Sequence, residues 1–130
     1  MILLDTNYLI RMLVNGTQEA ERVSEWVRAN EPLITSSICW YEFESGPVDA
    51  EGISLVTGVL RDRIIPFTGD HAREAARLYN NTGRQRRLRI DAMIAATAIV
   101  TGATLATANS GDFEPFIPLG LRRTGKLTFM

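Results

Sequence analysis

Ile90-Asp91-Ala92-Met93-Ile94-Ala95-Ala96-Thr97-Ala98-Ile99-Val100-Thr101 is apolar on every side of a helix and holds one charged side chain, Asp91. A helix apolar all round is one enclosed by protein, and Gly102 is placed to end it. Ala103-Thr104-Leu105-Ala106-Thr107 follows at once as a short strand. The same alternation runs back through the chain. Ile2-Leu3-Leu4, Pro32-Leu33-Ile34-Thr35 and Arg63-Ile64-Ile65-Pro66-Phe67 read as strands, and Phe116-Ile117-Pro118-Leu119 as a short fifth. Between them, a first helix runs through Leu9, Met12 and Leu13 to Asn15-Gly16. Thr17 caps a second that turns Ala20, Val23, Trp26 and Val27 inward, with Glu19, Glu21, Arg22 and Glu25 mostly elsewhere. Ser36 or Ser37 caps a third, which stops at Ser45-Gly46-Pro47. Ala50 to Leu60 forms a looser helix weakened by two glycines. Asp70 caps one with Ala72, Ala75, Ala76 and Tyr79 on its apolar side and Gly83 at its end. Strands alternating with helices predict an α/β sandwich of three layers, its short and mainly parallel central sheet covered on both faces.

Composition narrows the function. At 130 residues the chain fits one domain, 1–130, and no Pro/Gly/Ser linker or repeat divides it. Fourteen basic against fifteen acidic residues, a net charge of −1, excludes a polycation that coats nucleic acid by bulk charge. One cysteine excludes a disulfide framework and a cysteine-built zinc site, and suits a reducing cytoplasm. The start, Met-Ile-Leu-Leu-Asp, lacks the basic opening of a secretion signal. No membrane association is expected, and the protein reads as soluble and cytoplasmic.

The informative residues are acids in apolar company. Asp5 is the only charged side chain in the first ten residues, Glu42 the only one from Pro32 to Phe43, and Asp91 the only one from Ile90 to Gly111. Arg87 is the one basic residue spaced to share a helix face with any of them. Burying an unpaired carboxylate costs several kcal/mol, so such acids are rarely bystanders. Parallel topology brings them together, because the functional crevice lies beyond the carboxyl ends of the strands. Asp5 follows the first strand, Glu42 lies in the helix after the second, Asp91 opens the enclosed helix, and Asp112 follows the fourth strand. Carboxylates gathered at one edge repel unless cations join them, and oxygen ligands without His or Cys favour Mg²⁺ or Mn²⁺ over zinc. Taken singly, each acid has a plainer explanation: a helix cap for Asp5 or Asp91, an arginine partner for Glu42, a turn for Asp112. The four together are far harder to explain that way.

Four segments also resemble a known family. Leu3-Leu4-Asp5-Thr6-Asn7, Ser37-Ile38-Cys39-Trp40-Tyr41-Glu42-Phe43, Asp91-Ala92-Met93-Ile94-Ala95-Ala96-Thr97-Ala98 and Ala106-Thr107-Ala108-Asn109-Ser110-Gly111-Asp112-Phe113 look like the four motifs of PIN domains, in order. At this length the chain is most similar to the VapC-type toxins of toxin–antitoxin pairs. That resemblance implies a PIN-like fold and a Mg²⁺- or Mn²⁺-dependent endoribonuclease, usually homodimeric and silenced by a small antitoxin protein. It implies Asp5, Glu42, Asp91 and Asp112 as the catalytic, metal-binding quartet, with Thr6 and Asn109 beside the metal. Many relatives carry Asp where Asn109 stands, which bears on a second metal site. In this chemistry the bound metal lowers the pKa of a water and polarises the scissile phosphate, so no nucleophilic side chain is needed.

Competing readings lack their parts. Haloacid-dehalogenase-like phosphatases want an acid where Asn7 stands, and they and response-regulator receivers want a lysine, whereas the only lysine is Lys126. No complete phosphate-binding Gly-x-x-x-x-Gly-Lys-Ser/Thr loop is present, since Leu127 follows Gly120 to Lys126, and no Gly-x-Ser-x-Gly elbow occurs. His71 reads as a surface residue and Cys39 as core. The alternative from another class is a non-catalytic PIN-fold module that captures a protein or RNA partner. Arg84, Arg86, Arg87 and Arg89, four arginines in six residues before Asp91, are candidates to grip RNA phosphates or an antitoxin carboxylate. Trp26, Val27, Trp40, Tyr41 and Phe43 offer surface for a twofold dimer and an antitoxin groove.

Overall fold

Ile2–Leu4 forms β1, buried on both faces at the centre of the sheet. The computed structural model describes residues 1–125. From β1 the chain runs through α1 (Thr6–Arg11), α2 (Gln18–Arg28), β2 (Leu33–Ser36), α3 (Ser37–Glu44), α4 (Ala50–Leu60), β3 (Ile64–Ile65), α5 (Gly69–Asn80), α6 (Arg89–Thr101), β4 (Thr104–Ala106) and α7 (Ser110–Phe113). The sheet order is β3-β2-β1-β4, and every pairing is parallel. All strand carboxyl ends therefore share one edge. The chain leaves β1 toward β2 on one side and reaches β4 on the other, so the switch point of the sheet lies between β1 and β4.

α6 is the enclosed helix that its composition predicts: Ala92, Ile94, Ala95, Ala96, Thr97 and Ala98 are buried. Its apolar ends, Ile90 and Val100, remain 44% exposed. Gly102 ends it in the left-handed region at φ +73°. Ser36 is the cap of α3, its hydroxyl accepting from the Cys39 N–H at 3.0 Å. Cys39 and Phe43 are core, and α4 spans the expected residues.

Several local expectations are corrected. Residues 114–119 form a 3₁₀ turn instead of a fifth strand, because Pro115 and Pro118 withdraw the N–H groups a ladder needs. α1 stops at Arg11, short of Asn15. α5 is capped by Thr68 and not Asp70, in a capping box where the Thr68 N–H donates to His71 Nδ1 at 3.2 Å and the His71 N–H to Thr68 Oγ1 at 3.4 Å. His71 is consequently buried, not a surface residue, and α5 turns His71, Ala75 and Leu78 inward while Ala72 and Ala76 face out. The helix ends at Asn80 with Asn81 as cap, and Gly83 takes its positive φ two residues later. In α2 the buried residues are Glu19 and Val23, with Val27 47% exposed. Glu19 is neutralised there by the Nε of Arg11.

The two glycines of α4 differ in kind. A Cβ on Gly52 would meet Val48 Cγ2 at 2.8 Å and Leu13 Cδ1 at 3.1 Å, whereas one on Gly58 would meet nothing. Gly58→Ala should therefore stabilise by about 0.5–1 kcal/mol through helix propensity, and Gly52→Ala should destabilise through overpacking. Urea unfolding of both variants checks this, and equal gains would contradict it.

Candidate active site

Asp5 leaves the end of β1 and points into the switch point. Its carboxylate is 5% exposed. Oδ1 accepts from the Thr6 N–H at 2.8 Å, making Asp5 the cap of α1, and meets Cys39 Sγ at 3.7 Å. Oδ2 accepts from the Thr107 hydroxyl at 2.7 Å. Thr107 follows β4, so this bond closes the two strand ends over the switch point. Burial is the main force raising the Asp5 pKa, against these hydrogen bonds, and Glu42 adds to the rise.

The other three acids approach from three helices. Glu42 is exposed on α3, and its Oε1 accepts from the Thr6 hydroxyl at 2.8 Å. Asp91 is in the first turn of α6 and half-buried. It is not the cap, a position held by Leu88, and among the described residues it forms no ion pair. Asp112 is exposed on α7. The pKa of Asp91 is pushed up to about 6, first by burial, then by the charges of Asp5, Asp112 and Glu42, with Arg87 opposing. The other three acids therefore all act on Asp91. A thiol with its pKa driven to about 12 by burial and by Asp5 leaves Cys39 protonated, so it is no nucleophile.

An oxygen donor set of mutually repelling carboxylates fits a hard divalent cation. Among the described residues no group of three His, Cys, Asp or Glu side chains is gathered tightly enough to hold an ion as it stands. Glu42 and Asp112, the exposed pair, are the acids with room to turn toward one. Thr6 holds Glu42 in place. Asn109 precedes α7 with its N–H donating to Thr107 Oγ1 at 3.0 Å, and its exposed side chain makes no such bond to a carboxylate. Thr107, which orients Asp5, went unread in the sequence. Its signal was present: a hydroxyl directly after the fourth strand, one position short of a polar turn.

Arg84, Arg86, Arg87 and Arg89 are all exposed. Arg84 has φ +53° and its carbonyl accepts from the Tyr79 hydroxyl at 2.8 Å, which pins the start of the segment. Arg87 donates to Gln85 and is the member whose charge reaches Asp91. Lys126 lies outside the described residues.

The profile of the PIN domain matches residues 2–114. The chain belongs to the PIN domain family. Among solved structures, this PIN domain is similar to FitAcB from Neisseria gonorrhoeae, with 24% identity, a TM-score of 0.70, and 96% of this chain and 97% of that one covered. A toxin–antitoxin complex from Klebsiella pneumoniae gives 26% identity and a TM-score of 0.70 over 88% of this chain and 91% of that one. VapBC2 from Rickettsia felis, bound to a promoter DNA fragment, gives 21% and 0.69 over 95% and 98%, a likeness of fold. No curated protein matches the chain by sequence. No helix among the described residues of the PIN domain is long and apolar enough to cross a membrane.

The raised pKa of Asp91 has a consequence for the metal-free PIN domain. Between pH 4 and about 6 the folded chain holds a proton on Asp91 that the unfolded chain releases, so folding stability falls as pH rises through that window. Asp91→Asn removes the repulsion. In EDTA at pH 7 the variant should melt higher than wild type by on the order of 3 °C, with the gap closing near pH 4. A less stable variant would mean that Asp91 is a structural ion-pair partner.

Proposed function

We propose that this PIN domain is a metal-dependent endoribonuclease that hydrolyses RNA phosphodiester bonds and serves as the toxin of a toxin–antitoxin pair. The observation that carries the reading is the gathering of four acids at the carboxyl edge of the parallel sheet, where burial first, and then the charges of Asp5, Asp112 and Glu42, push the pKa of Asp91 up. Carboxylates near one another, with no cation paired to Asp91 among the described residues, are costly unless a metal ion shares them.

Asp5 and Asp91 would hold Mg²⁺ or Mn²⁺, with Asp112 completing the ligand set and Glu42 orienting the attacking water. The bound ion supplies a water of lowered pKa and polarises the scissile phosphate. The chain's own residues prepare that chemistry. Thr107 and the Thr6 N–H fix the Asp5 carboxylate, so its lone pairs are already aimed. The Thr6 hydroxyl holds Glu42, and one residue thereby orders both acids through its two donors. Asn109 faces solvent beside them and is placed to hold a water or the RNA. Arg87, with Arg84, Arg86 and Arg89 around it, offers cationic forks to phosphates next to Asp91.

An antitoxin as partner is supported by the toxin–antitoxin complexes among the structural neighbours. It is also supported by an apolar groove of about 510 Å³ between α1, α2 and α4, lined by Met12, Leu13, Val23, Val27, Leu55 and Val59. Of the aromatic surface expected for a homodimer, Phe43 is core, Trp26 stacks on Tyr8 and Trp40 packs on Phe43. Tyr41, 72% exposed, and the ends of α6 remain for a twofold contact. A cytoplasmic location belongs to the same reading, which suits a chain with one buried free thiol.

Purified protein should cut single-stranded RNA with Mn²⁺ or Mg²⁺ and not in EDTA, and Asp91→Asn should slow cleavage by at least about 100-fold. A fully active Asp91→Asn variant would overturn the role of Asp91. Uncut RNA together with tight capture of a partner would favour the binding-module alternative.

A further inference from the structure

A second set of arginines stands apart from the Arg84–Arg89 segment. A groove of about 970 Å³ opens beside the acidic site, with Asn7, Thr107 and Asn109 in one part of its wall and Arg11, Arg22 and Arg123 in another. Thr107 is the residue whose hydroxyl donates to Asp5, so the groove wall and the acidic site share a side chain. The volume is in the range of sites that enclose a ligand.

The arginines are held in distinct ways. Glu19, 3% exposed, binds the Nε of Arg11, whose side chain is 53% exposed. With Nε clamped, the two terminal amino groups of Arg11 bond to no other group among the described residues. The Arg22 guanidinium lies 4.9 Å from the centre of the Trp26 ring, and one amino group donates to the Gly125 carbonyl at 2.9 Å. Among the described residues Arg22 has no carboxylate partner. A planar cation stacked on an aromatic face has little entropy left to lose, which suits a forked contact to a phosphate. Arg123 pairs with Glu114 at the groove's other side.

We propose that this groove carries the RNA strand away from the acidic site, with Arg22 and the Glu19-clamped Arg11 gripping its backbone phosphates. The proposal rests on the ribonuclease reading. Its test measures binding without cleavage, so that failure of one is distinguishable from failure of the other. Glu19 is a positioning residue: it touches no RNA and sets which edge of Arg11 is presented. The unpaired Arg22 and the amides Asn7, Gln18 and Asn109 suit a polyanionic strand better than an apolar helix, with Ile10 and Leu105 as the apolar part of the wall.

The probe is a fluorescently labelled single-stranded RNA oligonucleotide, titrated in EDTA by anisotropy at several salt concentrations. Arg22→Gln should weaken binding and reduce the slope of log affinity against log salt by about 0.7, the value of one phosphate contact on a single strand. Arg22→Lys keeps the charge and should retain the slope. The double variant Arg11→Gln/Glu19→Gln leaves net charge unchanged and no buried acid unpaired, yet should lose about tenfold in affinity. Asp70→Asn/Arg73→Gln, an equally charge-neutral change to an exposed pair on α5, should lose nothing. Melting curves of the same samples exclude unfolding as the cause. Unchanged affinity and slope in the groove variants overturn the proposal, whatever the cleavage assay shows. So does loss of antitoxin binding with RNA binding intact, which would give the groove to a protein.

Discussion

A carboxylate kept at the end of the central strand, inside an otherwise apolar layer, is the constraint from which the rest of the site follows. Asp5 is tolerable there because two elements satisfy it: the Thr6 N–H at the start of α1 and the Thr107 hydroxyl past β4. Those bonds join the flanks of the switch point, so the sheet's topology and the acid's solvation are one problem with one solution. The remaining acids are arranged around that fixed point. Glu42 is tethered to it through Thr6, while Asp91 feels the charges of Asp5 and Asp112, and neither Asp91 nor Asp112 has an ion-pair partner among the described residues. The fold stabilises the site's geometry and leaves its charge uncompensated, which is the condition in which a cation has most to contribute.

Much of this was legible in the sequence, for reasons that are local. β1 and α6 declare themselves by unbroken apolar character, and Asp5, Glu42 and Asp91 stand out because nothing near them in sequence excuses a charge. What was not legible depended on partners distant in the chain. His71 looked like a surface residue until the Thr68 capping box turned it inward and rotated the buried face of α5 to Ala75 and Leu78. Glu19 read as a solvated acid because its partner Arg11 belongs to another helix. Thr107 passed unnoticed because its partner lies 102 residues away. The 3₁₀ turn at 114–119 has the apolar content of a strand, but Pro115 and Pro118 lack the N–H groups that a ladder needs.

Membership of the PIN domain family and the position of the acids account for each other. A parallel sheet with β1 central needs a crossover on each side, and the crevice this leaves at the carboxyl ends is where α3, α6 and α7 can each deliver one acid. Helices carry Glu42, Asp91 and Asp112, and the end of β1 fixes Asp5 as the cap of α1, which limits how far any can drift from a shared centre. The proposed RNA groove with Arg11 and Arg22 would extend the same logic outward from the acidic centre.

The most direct test of the account is to locate Mn²⁺ by anomalous X-ray scattering in crystals of the protein grown or soaked with the ion. The account predicts a peak at the switch point, ligated by Asp5 and Asp91 and lost in crystals of Asp91→Asn. A structure in which that position stays empty at saturating Mn²⁺, with Asp5 and Asp91 bonded only to protein, would contradict it.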